Sequence, residues 1–190
     1  MESRRSGRSL ALVAAMAGAP LLLAFADGPL PALTGGFGEP SCHSCHFDRP
    51  LAPPGARLTV AGFPQSYTPG RRYLISVEVE TLAPSRGGFQ LAVRYASGAR
   101  AGAQAGGLAV AGEGVQLVTA GEPAVEYAQH TLAGASPRAG RLAWKVAWTA
   151  PEAPAHPVLL HVAANAANGD ESPLGDRVYL ASLASTPERR

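Results

Sequence analysis

The chain has 190 residues, 46% of them hydrophobic, with 16 basic and 14 acidic side chains and a formal net charge of +2 at pH 7. That length suits one domain of ordinary size plus processing segments. The near balance of charge excludes the basic field that a nucleic-acid partner requires.

The first 28 residues read MESRRSGRSLALVAAMAGAPLLLAFADG. Arg4, Arg5 and Arg8 make a basic start, and Leu10 to Leu23 form an apolar run interrupted by Gly18 and Pro20. Ala24-Phe25-Ala26 then offers small residues at the two positions a signal peptidase reads. This pattern predicts a secretory signal peptide over residues 1–26, of the general secretory kind. The residues after Arg4-Arg5 fit a twin-arginine signal poorly. An uncleaved anchor is the alternative, although the run is shorter than the roughly 20 residues a spanning helix needs. With no second apolar segment, a periplasmic or extracellular mature chain without a membrane span is expected.

Residues 27–57 are rich in glycine and proline and carry no periodicity, so they read as an irregular lead-in. Pro50, Pro53 and Pro54 exclude a helix at its end. From residue 58 to 183 the pattern becomes that of a β domain. RYLISVEVE sets Tyr73, Ile75, Val77 and Val79 on one face and Ser76, Glu78 and Glu80 on the other. GFQLAVRY repeats this, with Phe89, Leu91, Val93 and Tyr95 opposite Gln90 and Arg94. GVQLVTA is a shorter candidate. RLAWKVAW alternates Leu142, Trp144, Val146 and Trp148 with Lys145 on the opposite face, and HPVLLHVAAN and DRVYLASL complete the series. Turn-forming stretches such as YTPG, AGEG and NGDESPLGD separate the runs. No stretch of the mature chain shows a helical stripe. The fold class that follows is all-β, an antiparallel β-sandwich, with residues 184–190 as a polar tail.

The two cysteines lie within EPSCHSCHFD, and Cys42-His43-Ser44-Cys45-His46 is literally C-x-x-C-H. That spacing matches covalent haem attachment: two thiols on one short turn can form thioethers with two vinyl groups, and the next residue lies under the ring. Cys42 and Cys45 are therefore candidate attachment points for one haem c, with His46 as proximal ligand of the iron. Three rivals stay open. A redox pair usually sits at a helix start in a βαβ setting, a disulfide here would close a tiny loop, and zinc would need further histidine ligands. Met1 and Met16 both fall in the signal peptide, so a cleaved chain has no methionine for the far side of the iron. The candidates left include His43, His130, His156 and His161 and Lys145. His43 sits inside the attachment turn, His156 in a proline-rich loop, and His161 within a strand on the side of Leu159 and Ala163. Asp170, Glu171 and Asp176 read as a polar turn before they read as a calcium site.

CHSCH, YTPGRRYLISVEV, GGFQLAV, YAQHT, WKVAWTAP and NAANGDESPLGDRVY occur in this order. In this order they resemble a group of bacterial secreted proteins whose β-sandwich is related to the Reeler domain, the module at the start of reelin. In that group a C-x-x-C-H element stands before the sandwich, and the similarity spans about Gly36 to Leu180. The resemblance implies a Reeler-like or immunoglobulin-like sandwich. It also implies His130 as the distal iron ligand, since the family pattern has a histidine there. His161 stands where the family more often shows an aromatic, which leaves it as second choice.

Two functions follow as expectations. The first is an exported mono-haem c-type cytochrome acting in electron transfer with unnamed redox proteins, a carrier and not a catalyst. The alternative is an extracellular binding or adhesion module in which the cysteine pair is structural or holds zinc. Neither G-x-S-x-G nor H-E-x-x-H occurs.

Overall fold

Period-two alternation of bulky and polar residues drives this chain into two facing sheets. The computed structural model describes residues 27–81, 85–139, 141–153 and 156–188. The expected signal peptide, residues 1–26, lies outside them. The strands are β1 (Ala56–Ala61), β2 (Ser66–Tyr67), β3 (Arg72–Thr81), β4 (Arg86–Tyr95), β5 (Gly107–Val110), β6 (Val115–Ala120), β7 (Val125–His130), β8 (Leu142–Thr149), β9 (Val158–Ala167) and β10 (Arg177–Pro187). One sheet runs β1-β3-β8-β5 and the other β2-β10-β9-β4-β7-β6. Pairing is antiparallel throughout, except that β2 joins β10 in parallel.

The core is the set of side chains that alternation turns inward. Ile75, Val77 and Val79 of β3 and Leu142, Trp144, Val146 and Trp148 of β8 are buried. The β3–β8 register places Val77 opposite Trp144 and Tyr73 opposite Trp148. Phe89 of β4 crosses the sandwich to stack on Trp144 at 4.8 Å. Both indoles keep a polar contact: Trp144 Nε1 donates to Gly134 O at 2.8 Å and Trp148 Nε1 to Ala105 O at 2.9 Å. Lys145 is exposed, as its opposite phase requires. Among the described residues, no helix is long and apolar enough to cross a membrane.

The β-sandwich is thus the architecture that the alternating runs imply. Three short elements have no signature in the sequence. β1 begins two residues before Leu58, β2 is a two-residue pairing, and β5 is the run GLAV. β10 continues past residue 183 because Thr186 and Pro187 pair with Ser66 and Tyr67 of β2.

The lead-in is where structure and simple alternation part. Gln90 and Arg94 occupy the polar phase of β4, where a half-exposed sheet would leave them in water. Both are buried. Residues 27–54 run across the outer face of the six-stranded sheet as a strap, and that strap covers them.

Candidate functional site

The strap is held to the sheet by polar side chains. Leu33 N donates to Gln90 Oε1 at 2.6 Å, and Gln90 Nε2 donates to Leu30 O and to Gln129 Oε1, both at 2.8 Å. Glu39 reaches down to pair with Arg94. Its carboxylate also accepts from Tyr127 Oη and Thr34 Oγ1, each at 2.6 Å. Arg94 Nη2 in turn donates to Tyr127 Oη at 2.7 Å. Burial alone pulls the Arg94 guanidinium down and pushes the Tyr127 phenol up, and their mutual contact opposes both shifts. A charged pair so well hydrogen-bonded meets the condition under which a buried ion pair is tolerated.

Phe37 lies over this cluster. Its ring meets His161 edge-on at 5.3 Å, and the Arg94 guanidinium sits 5.4 Å from its centre. Its backbone has φ of 52°, a left-handed conformation that a bulky residue rarely adopts. Gly36 carries no side chain because a Cβ there would enter the His161 ring.

The cysteines follow on a single 3-10 turn, Cys42–Ser44. Ser41 caps it by accepting from His43 N, and Cys45 N and His46 N both donate to Cys42 O. His43 Nε2 lies 2.7 Å from Arg49 O, so it closes the loop after the turn. Both thiols are free. Cys45 is exposed and Cys42 half-buried, and desolvation pushes the Cys42 thiol up to about 12.

His46 ties the turn to the sheet. Its Nδ1 stands 2.7 Å from Asp176 Oδ2. Burial pushes the Asp176 carboxyl up, but hydrogen bonds from His46, Asn168 N and Asn165 Nδ2 outweigh it and hold Asp176 below the usual carboxylate range. The third-turn acids behave as an ordinary loop: Asp170 accepts from Ser172 N and from Asn168 Nδ2, a self-contained turn.

Asn165 also contacts the His46 ring, and its Oδ1 is buried without a partner. Across the β4–β9 ladder Asn165 faces Gly88, and the His130 ring rests against Gly88. His46 therefore contacts β9 and His130 contacts β4, two neighbouring strands of the larger sheet. His130 Nδ1 is engaged with the main chain of Phe89, accepting from its N at 3.1 Å, and burial holds the ring below the ordinary imidazole range. His161 is also held low, by burial first and by Arg94 second.

This arrangement corrects the haem reading. Among the described residues, no three or more His, Cys, Asp or Glu side chains converge to hold a metal ion. Cys42 is half-buried, His130 is packed against Gly88 and Phe89, and His161 meets the Phe37 ring and lines a groove. A groove of about 350 Å³ and a hollow of about 140 Å³ are lined by neither cysteine, nor by His46 or His130. With no such ligand cluster among the described residues, the haem, c-type cytochrome and electron-transfer roles are withdrawn. The same lack of converging ligands counts against zinc.

What the fold and this face define is an antiparallel β-sandwich module with a strapped outer sheet. No family model matches the chain, and no curated protein matches it. Among solved structures it is similar to the human F-spondin reeler domain, at 20% identity over 73% of this chain and 94% of that one, with a TM-score of 0.46. It is also similar to a cohesin module from a Clostridium perfringens family 33 glycoside hydrolase, at 11% identity over 70% of this chain and 98% of that one, with a TM-score of 0.42. The sandwich assignment itself stands on the chain's own strand pairing.

Sequence reasoning missed Glu39, Arg94, Tyr127, Gln90 and Gln129 as a joined set. Their signal was weak: a charged residue in the middle of a strand otherwise rich in large apolar residues.

Proposed function

We propose that the chain is an exported β-sandwich binding module, with the strap-covered outer face as its working surface and the cysteine pair as part of the strap's local structure. One observation carries this reading. The strap meets the sheet through polar groups and the Phe37 ring, and its larger apolar side chains are left substantially in solvent. Leu30 is 59% exposed, Phe37 39%, Phe47 63% and Leu51 45%. An irregular segment gains nothing in folding from apolar groups left in water. Apolar side chains gathered on one exposed segment fit a surface that another molecule covers.

The test is retention of the purified protein on washed bacterial cell-envelope particles. Wild type should sediment with the particles. A Phe47→Ser/Leu51→Ser variant with unchanged circular dichroism and Tm should lose at least fivefold in bound fraction. Equal retention of the two would overturn the reading.

A further inference from the structure

The open edge of β10 is built to receive a peptide. β10 ends the larger sheet on one side for most of its length, and the two ends of that edge are already taken. At one end Ala52 N donates to Val178 O at 2.8 Å. At the other Thr186 N donates to Gln65 O at 3.1 Å, where β2 begins its parallel pairing. In an antiparallel strand, residues of one parity turn both N–H and C=O to the same side. Val178 and Thr186 fix which parity faces away from β9. Leu180, Ser182 and Ala184 share it, so their three N–H and three C=O groups face the open edge. Among the described residues, none of these six groups has a main-chain partner.

Exposed edges are ordinarily blunted by charge, proline or a bulge. Between Val178 and Ser185 this strand has no charged residue and no proline, and its ladder with β9 runs unbroken from Arg177 to Ser185. Beside it lies the groove of about 350 Å³, lined by Thr34, Gly35, His161, Leu180, Ala181 and Ser182. Leu180 lies against Gly35 there and is still substantially exposed.

We infer that the edge Leu180–Ala184 binds an extended polypeptide segment by strand addition, with an apolar side chain of that segment seated beside Leu180 in the groove. Main-chain donors and acceptors in strict alternation are satisfied by another backbone. The free stretch of five residues spans about 16 Å at roughly 3.3 Å per residue, so a short segment fills the gap between Ala52 and Gln65. This inference deepens the binding-module reading and rests on it.

The experiment uses the full mature chain and a capped Thr-Val-Thr-Val-Thr-Val-Thr peptide, with backbone amide exchange followed by NMR. Saturating peptide should slow exchange at Leu180, Ser182 and Ala184 at least tenfold. The same peptide N-methylated at every residue should protect nothing, which tests the edge without touching the protein's fold. Ser182→Pro should weaken binding at least tenfold while Ala181 and Leu183 stay protected by β9, since Pro removes only the outward N–H. Protection at another edge, equal binding of the methylated peptide, or no protection at millimolar peptide would overturn the inference. So would sedimentation showing that this edge pairs with a second copy of the chain. If wild type is retained on envelope particles while the edge stays silent, the edge inference alone falls. If retention itself is absent, the binding-module reading falls.

Discussion

His46 and Asp176 join two parts of the chain 130 residues apart, with Nδ1 and Oδ2 at 2.7 Å. The pair pins the cysteine turn to the start of β10. Asp176 is almost fully buried and also accepts from Asn165 and from Asn168 N. Replacing it by Ala strands those donors. Asp176→Ala should therefore cost about 3 kcal/mol in urea unfolding, and Asp176→Asn should cost less because it keeps one acceptor. A loss below about 0.5 kcal/mol for the alanine variant would show that the turn is held by something else.

Glu39 and Arg94 make the second anchor. Removing one member of a buried pair leaves an uncompensated charge, at a cost of about 3–5 kcal/mol. Glu39→Ala should fall in that range and should open the strap, so that limited proteolysis cuts within residues 27–54 before the sandwich unfolds. Glu39→Leu with Arg94→Leu should recover much of the loss. Unchanged protease resistance in Glu39→Ala would contradict the anchoring role.

Gly88 leaves room for the His130 ring, because a Cβ there would collide with it. Gly88→Ala should cost about 1–3 kcal/mol by overpacking. In a Gly88→Ala/His130→Ala double-mutant cycle the two effects should be non-additive, with the second change relieving the first. Additive losses would mean that the ring does not occupy that place.

Acid should weaken the fold in a defined window. His130 and His161 are both held below the ordinary value of 6.5 in the folded chain. The unfolded chain therefore takes up more protons as pH falls below about 6.5, and stability falls with it. Above that pH the contribution is fully present. His130→Asn should flatten part of the slope below about pH 6.5, as followed by the denaturation midpoint. A slope identical to wild type would remove His130 as a contributor.

Much of the sandwich was legible because its long strands each bury one face. Ile75, Val77 and Val79 and the Leu142–Trp148 series carry that alternation without a break. β5 and β2 were not, since four and two residues hold no period, and their pairing is decided by neighbours such as Trp148 and Thr186. The working face was hidden for a different reason. Period two says which side chains share a face but not what covers it, and a glycine- and proline-rich lead-in gives no hint that it lies on Arg94. The pentapeptide at Cys42 was legible as a motif, and its chemistry was over-read. A motif states which groups are close in sequence, whereas the fold engages His46 with Asp176, His130 with Phe89 and His161 with Phe37.

The central claim is the proposal that the chain is a binding module, with no haem assigned to Cys42 and Cys45. Intact mass spectrometry of the protein, secreted from cells with cytochrome maturation machinery active, tests it most directly. The account predicts the mass of the polypeptide alone, less at most the pair of hydrogens a disulfide removes. A species heavier by one iron porphyrin, surviving denaturation, would contradict it.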